Sequence, residues 1–231
     1  MDRIMFKKAL HNMLIIDFIL TFAFFFPLSS PSRTYAWELE KEEDGIKVFT
    51  KKVAGSDFKA YRAIMRVDAK VSSLVELIKD IESYPLWIDT CKKGVLLKKI
   101  NEYEFLAYTV NNAPWPVSDR DAVVLNTVSQ DPATKGSVTI NIEGKHSYIP
   151  LTSGIIRVKK IKGFWRFVPE KDGLTQVIYE VHSEPGGNIP SWLLNQIVVT
   201  QPFNTLKNMK EILKLPKYHD AQQSIEEESR P

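Results

Sequence analysis

Alternation of apolar and polar residues predicts a series of β-strands through the middle of the chain. Over 58–67, the face that runs from Tyr61 to Val67 is expected to be buried. The strands that follow are separated by turn residues and are predicted over 94–100, 103–110, 118–128, 137–143, 154–168 and 174–183. Because strands adjacent in sequence tend to pair, the pattern favours an antiparallel meander. Apolar residues on both faces, as at Val123–Leu125, indicate a sheet that curls around something on one side and packs on the other.

A helical period replaces the alternation over Val71–Ser83 and predicts an amphipathic helix. Ser73 and Glu76 have the spacing of a capping box. We expect the helix to end near Tyr84, because Pro85 disfavours helical geometry in the residue before it. Nearer the N-terminus, residues 37–49 predict a short helix or turn followed by a strand.

A second helical stripe predicts a long C-terminal helix that begins near Pro190. Pro202 lies inside this helix, so a kink is expected there. After Leu215 the chain becomes polar and acidic, which predicts a disordered tail over 216–231. These elements together predict an α+β fold, in which a curved antiparallel sheet wraps around the C-terminal helix. The apolar stripe comprises Trp192, Val199, Phe203, Leu206, Met209 and Leu213.

The first 36 residues have the layout of a secretory signal peptide. Basic residues precede an apolar run over 13–28, and a small residue, Ala36, marks the expected cleavage site. We therefore predict an exported protein, periplasmic or secreted. An uncleaved anchor is the alternative, but Asp17 and Pro27 interrupt a run that is already short for a membrane span.

Charge and cysteine content narrow the function further. Without the four basic and two acidic residues of the leader, the chain has 27 basic and 26 acidic residues and is nearly neutral. A nucleic-acid-binding domain usually has an excess of basic residues, so this function is disfavoured. The single cysteine, Cys91, cannot form an internal disulfide. Motifs for metalloproteases, serine hydrolases and phosphate-binding loops are absent from the sequence, and no metal or cofactor is expected.

Three segments resemble the START (StAR-related lipid-transfer) domain family in motif and order. They are Ile81–Trp87, Ala113–Asp121, and the stretch from Gly163 through Leu193, within which Glu184 stands where the family often has aspartate. The resemblance spans about 37–213 and is closest to bacterial, secreted members. It implies a helix-grip fold over 37–215 with an internal tunnel for a sterol, a phospholipid or another hydrophobic molecule.

Under this resemblance, a set of aromatic, apolar and polar residues becomes the candidate ligand-binding site. Alternatives exist for several of them: Arg120 with Asp121 as a structural ion pair, His182 as the cap of a turn, and the tryptophans as core packing. The candidates are Trp115, Arg120, Trp165, Tyr179, Glu180, His182, Trp192, Val199 and Phe203.

The sequence thus predicts a monomer that binds, and can transfer, a lipid or another hydrophobic molecule without catalysis and with transient membrane contact. The alternative is a helix-grip enzyme that uses Glu180 or His182 as a base in a buried pocket. A purely structural module is the weakest interpretation, because it gives no reason for apolar residues on both faces of the sheet.

Overall fold

The computed structural model describes residues 35–130, 133–134, 136–189, 193 and 196–219. All but the last two residues of the predicted signal peptide therefore lie outside the described residues, as do Pro190 and Trp192. Among the helices of the described part, none has the length and apolar character needed to cross a bilayer.

Ten strands of the described residues form one sheet, ordered β1-β2-β3-β10-β9-β7-β6-β5-β4, with β8 paired to the start of β6. All pairs are antiparallel, except β6 and β8, which run parallel. The strands are β1 (Glu38–Glu43), β2 (Ile46–Lys51), β3 (Ala60–Val67), β4 (Cys91–Lys99), β5 (Glu104–Asn111), β6 (Arg120–Gln130), β7 (Val138–Gly144), β8 (Ile156–Arg157), β9 (Lys160–Pro169) and β10 (Thr175–Glu184).

The helical elements come in two groups along the chain, one between β3 and β4 and one after β10. The C-terminal helix α3 packs against β2, β3 and α2, so the sheet grips it as predicted and the α+β class is confirmed. The helical elements are α1 (Val71–Lys79), a 3-10 helix (Ile81–Ser83), α2 (Tyr84–Trp87), a π-helical turn (Gln196–Thr200), α3 (Gln201–Ile212) and α4 (Pro216–His219).

The main core lies between the inner face of the sheet and the helices. Leu74 and Ile78 of α1 are fully buried, as are Leu206 and Met209 of α3. A second, smaller cluster of Leu106, Tyr108, Val110 and Val123 occupies the other face of β5 and β6. The apolar residues on both faces of these strands therefore serve two separate cores.

Two strand predictions need correction. Residues 38–43 form strand β1 rather than a helix or turn, because they pair with β2, whose Ile46, Val48 and Thr50 are buried. The charged, mostly exposed side chains of β1 hide its strand character from a pattern search. The strand predicted over 154–168 is two strands, since β8 pairs with β6 before the chain turns into β9.

The predicted capping box at the start of α1 is wrong. Lys70 occupies the N-cap position without a side-chain cap, and Ser73 is buried. The α-helix also ends earlier than predicted, at Lys79, and after a 3-10 helix the short helix α2 begins at Tyr84 and Pro85. Proline is tolerated there because the first turn of a helix needs no amide donor at that position.

Pro202 likewise lies in the first turn of α3, directly after the π-helical turn, and not inside one continuous α-helix. Beyond α3, the prediction that the disordered tail begins at 216 is wrong. Residues 216–219 form α4, whose Tyr218 is 2% exposed and whose hydroxyl bonds the Asp80 carboxylate. A single apolar anchor in a polar segment carries too little pattern to be predicted. Residues 220–231 lie outside the described part.

Candidate ligand cavity

A cavity of about 190 Å³ lies against the inner face of the sheet, near the start of the C-terminal helix. The segment that leads into α3 contributes Leu193, Ile197 and Gln201. Most of the lining is apolar, as is usual for sites that bind small hydrophobic molecules. The aliphatic lining residues are Ile88, Ala113, Ala122, Val124, Ile142, Val158, Ile161, Val181, Leu193 and Ile197.

Trp165 and Tyr179 form an aromatic wall of this cavity. Their ring centroids lie 3.7 Å apart with planes 3° from parallel, because the two residues are direct partners between β9 and β10. Tyr61 meets Tyr179 edge-on at 5.3 Å. Trp87 packs at 5.9 Å from Trp165. The structure therefore brings two of the predicted residues together in the lining, with Tyr61 as an addition.

Every second residue of β6 faces the cavity, from Arg120 through Ala122 and Val124 to Asn126. Arg120 was predicted, whereas Asn126 was missed. Asn126 is 3% exposed, and its Nδ2 has no hydrogen-bond partner among the described residues. The alternation of strand residues could have identified it, because Asn126 is the one polar residue between Arg120 and Val128 on that face.

Arg120 is buried at the start of β6 and holds the loop that follows β10. Its Nη1 donates to the Ser118 carbonyl at 2.5 Å and its Nη2 to the Gly186 carbonyl at 3.1 Å. Its Nε has no partner in the part of the chain that is described. Burial lowers the pKa of Arg120, opposed by the nearby charge of Asp119, and the guanidinium stays protonated.

The predicted alternative, an ion pair between Arg120 and Asp121, is wrong because neighbouring strand residues point to opposite faces. Asp121 pairs instead with Arg157, at 2.7 Å from Nε to Oδ1 and 3.0 Å from Nη2 to Oδ2. The Tyr108 hydroxyl also donates to Asp121, at 3.1 Å. This buried pair belongs to the second core and lies on the sheet face away from the cavity.

Glu180 and His182, two of the predicted ligand-binding residues, do not line the cavity. They alternate with Tyr179 and Val181, so they point to the outer face of β10. Glu180 accepts from Arg62 Nε at 2.7 Å. The His182 ring lies 3.1 Å from the Ser56 hydroxyl. Both residues therefore serve contacts between elements of the outer face.

The remaining predicted residues lie elsewhere. Trp115 is 90% exposed and lies outside the lining, although its neighbours Ala113 and Pro114 are part of it. Val199 and Phe203 are buried in the main core and do not border the cavity. Their stripe packs α3 against the sheet, which is the structural role that helical periodicity predicts.

Several connecting segments meet at one end of the sheet, which we term the loop end and define as residues 84–90, 112–119, 145–155 and 185–189. The Asn112 amide donates to the Thr90 carbonyl at 2.8 Å, and the Ile156 amide donates to the Asp119 carbonyl at 2.9 Å. Three of these segments contribute lining residues, and 145–155 does not. The cavity therefore borders the loop end.

Polar side chains of α3 fasten the helix to the 87–90 segment of the loop end. Gln201 Nε2 donates to the Asp89 carbonyl and to the Thr90 hydroxyl, both at 3.2 Å. Asn204 bonds the Asp89 carboxylate at 3.2 Å, and burial raises the pKa of Asp89. Asn208 reaches the Trp87 carbonyl at 3.2 Å. This side of the cavity is thus fixed by directional contacts.

The titratable groups of the lining stay neutral at physiological pH, apart from Arg120. Burial raises the pKa of the Cys91 thiol to about 11, so the thiol is protonated and weakly nucleophilic. Burial also raises the pKa of Tyr61 and Tyr84. These groups carry no charge, and the Tyr84 hydroxyl and the Cys91 thiol already donate to the Ile78 and Lys93 carbonyls, at 2.7 and 3.4 Å.

An antiparallel sheet that grips a C-terminal helix and encloses an apolar cavity beside it defines a helix-grip ligand-binding domain. The family model of the START domain matches residues 30–218. The chain therefore belongs to the START domain family, as the sequence motifs indicated. The match reaches Tyr218, the buried anchor of α4.

Relatives with the same features include proteins from bacteria and animals. The chain is 40% identical over 174 residues to an uncharacterized protein of Pseudomonas aeruginosa, covering 75% of this chain and 85% of that protein. It is 26% identical over 197 residues to the phosphatidylcholine transfer protein of Rattus norvegicus, covering 79% and 86%. The crystal structure of a STAR-related lipid transfer protein from Xanthomonas axonopodis matches with a TM-score of 0.72 and 37% identity, covering 78% of this chain and 99% of that one.

Proposed function

We propose that this protein binds a lipid-like, hydrophobic molecule in its cavity without converting it, and transfers it between membranes. The observation that carries the proposal is the lining itself, an aromatic wall of Trp165 and Tyr179 facing aliphatic side chains. Membership of the START domain family supports it, as do relatives named for lipid transfer.

The energetics of lipid extraction explain why such a lining is needed. Exposing a methylene group to water costs about 0.8 kcal/mol, so a 16-carbon chain costs on the order of 13 kcal/mol outside a membrane. An enclosed apolar cavity offsets most of that cost. A few polar groups then suffice to set the orientation of the ligand.

The placement of the titratable residues supports binding over catalysis. Glu180 and His182, the bases that an enzyme of this fold was expected to use, point to the outer face of the sheet. Cys91 does line the cavity, but burial raises the pKa of its thiol to about 11, which disfavours a nucleophilic role at neutral pH.

Exposed apolar side chains at the loop end support membrane contact during transfer. Leu86, Trp115 and Leu151 are 72%, 90% and 74% exposed, more than the other large apolar residues of the described part. All three belong to the loop end, next to the cavity. Tryptophan at such a position suits the boundary between headgroups and acyl chains.

We also propose that the protein acts after export, in the periplasm or outside the cell. The basic, apolar and small-residue layout of residues 1–36 is the support for this. N-terminal sequencing of the protein recovered from its host should begin near Trp37. An intact Met1 in a cytosolic fraction would contradict export.

Filling the cavity tests the binding proposal directly. Ala122→Phe places a ring in the cavity from near the start of β6, while Ala54→Phe adds the same ring at an exposed position and serves as the matched control. Native mass spectrometry after incubation with vesicles of mixed lipids should show one lipid bound to the wild-type chain and to the control. The Ala122 variant should lose this lipid while keeping a wild-type circular dichroism spectrum. If the folded Ala122 variant still binds the lipid, the ligand-binding site must lie outside this cavity.

A further inference from the structure

Arg120 brings a positive charge into the lining of the cavity, balanced only in part by the nearby charge of Asp119. Among the described lining residues, it is the one whose side chain is charged at neutral pH, and no carboxylate lines the cavity with it. Its neighbour Asp119 is engaged by Lys92 and by the Ala113 amide, at 3.1 Å for the latter. Its other neighbour, Asp121, forms an ion pair with Arg157 on the opposite face of the sheet.

One N–H donor of the Arg120 guanidinium also has no acceptor among the described residues. Both terminal nitrogens of Arg120 are used on backbone carbonyls, whereas Nε is buried and has no partner among the described residues. A buried donor without a partner is costly, and the cost is relieved when an acceptor arrives. An anionic oxygen would accept a hydrogen bond from this donor and would also offset the charge of the guanidinium.

Asn126 supplies a second open donor further along the same strand face. Its Nδ2 has no partner in the described part, and the residue is 3% exposed. Asn126 lies six positions after Arg120 on the strand, which corresponds to roughly 20 Å at about 3.3 Å per residue. Ala122 and Val124, which lie between them in the row, are apolar.

We propose that the ligand is an amphiphile with an anionic oxygen head, received by Arg120 at the loop end, and a second hydrogen-bond acceptor deeper along its chain, received by Asn126. This inference rests on the proposed function and specifies the ligand class of the same cavity. Carboxylate and phosphate heads share the required chemistry. A quaternary ammonium head is disfavoured, because it would lie against the buried guanidinium.

Ligands with one chain and different heads test the role of Arg120. Palmitate, hexadecyl phosphate, hexadecanol and hexadecyltrimethylammonium are titrated into the full chain below their aggregation concentrations, with calorimetry as the readout. At least one anionic ligand should bind about tenfold more tightly than hexadecanol, as expected for a hydrogen bond to a charged group. The ranking of the two anions separates a carboxylate ligand from a phosphate ligand.

Substitutions at Arg120 then show whether it causes the preference. Arg120→Gln should bring the anion-to-alcohol affinity ratio close to one, while Arg120→Lys keeps the charge and should keep most of the ratio. Unchanged hexadecanol affinity and an unchanged melting curve show that the fold is intact. If Arg120→Gln fails to fold, the wild-type ranking and the lysine variant decide.

A terminal hydroxyl tests Asn126. The affinity ratio of 16-hydroxyhexadecanoate to palmitate should fall about threefold or more in Asn126→Leu, since the leucine removes the donor and nearly preserves the volume. Gln176→Leu, the same kind of change on the outer face of β10, is the matched control and should leave the ratio unaltered. An equal ratio in wild type and Asn126→Leu would overturn the second contact.

The outcomes separate this inference from the proposed function. Equal affinity for all four head groups, or a preference for the ammonium head, overturns the anionic ligand class while leaving hydrophobic binding in place. Failure of every 16-carbon ligand to bind the wild-type chain contradicts the inference as well. Failure of the mixed-lipid mass spectrometry experiment in addition contradicts the proposed function itself.

Discussion

Replacing Arg157 by leucine should strongly destabilise the protein, because it breaks a buried ion pair beside the second, smaller core. The Arg157 and Asp121 side chains are 4% and 1% exposed, so removal of the arginine leaves a carboxylate buried without its counter-ion. Breaking a buried pair in this way costs about 3–5 kcal/mol. The change also removes donors to the carbonyls of His146, Ile149 and Pro150 at 2.7, 3.2 and 3.2 Å, which anchor part of the loop end.

Urea unfolding followed by circular dichroism measures this loss. With a slope of about 2 kcal/mol per molar urea, a cost of 4 kcal/mol moves the midpoint down by about 2 M. The free energy of unfolding of a typical domain is about 5–15 kcal/mol, so the variant should remain folded but only marginally stable.

A double variant separates the charge from the packing. Arg157→Leu combined with Asp121→Leu removes both charges, and replacement of a buried pair by apolar residues is often close to neutral. The double variant should therefore recover much of the stability, less the hydrogen bonds to the loop and to Tyr108. A cost below 1 kcal/mol for the single variant, or a double variant no more stable than the single one, would refute this reasoning.

Three further predictions concern other parts of the molecule. Iodoacetamide should modify Cys91 slowly at pH 8 and faster as the pH approaches 11, with protection by bound lipid, and rapid modification at neutral pH would contradict the raised pKa. Tyr218→Phe should cost about 1 kcal/mol in urea unfolding at pH 7. Burial of Asp80 is outweighed by hydrogen bonds from Lys217 and Tyr218, which lower the pKa of Asp80 below 3.8, so the cost should shrink as the pH falls through that lowered pKa. A cost that does not diminish as Asp80 is protonated would contradict a hydrogen bond to its carboxylate. Gly163→Ala should lower the stability by about 1–3 kcal/mol, because a Cβ there would lie 2.2 Å from the Glu180 carbonyl oxygen, whereas an unchanged melting temperature would show that β9 and β10 can separate freely.

The fold was predictable from the sequence because its strands alternate cleanly and its motifs are specific. β3, β5, β6, β7 and β10 lie within two residues of their predicted ranges. The elements that were missed depend on partners distant in sequence. β1 forms because it pairs with β2 at the edge of the sheet. α4 is held in place by the hydrogen bond from Tyr218 to Asp80, 138 residues away.

The cavity was only partly predictable, and strand parity explains the division. Tyr179 and Glu180 are neighbours on one strand, so only one of them can face the cavity. In the structure, that residue is Tyr179. Asn126 was within reach of the same argument. Trp115 was not, because a loop has no periodicity and only the tertiary structure shows that its side chain is 90% exposed.

The stacking of Trp165 on Tyr179 gives the protein an optical reporter of its own cavity. A molecule that enters will change the polarity around an indole ring that is 3% exposed, and the intrinsic emission of Trp165 will shift or be quenched without any added dye. Trp115, at 90% exposed, emits from water and will shift to shorter wavelength only if it enters a membrane. Aqueous quenchers reach the second indole far more readily than the first. Loading of the cavity and docking on vesicles can thus be timed separately in one stopped-flow trace, with Trp115→Phe removing the signal of docking and leaving the signal of loading.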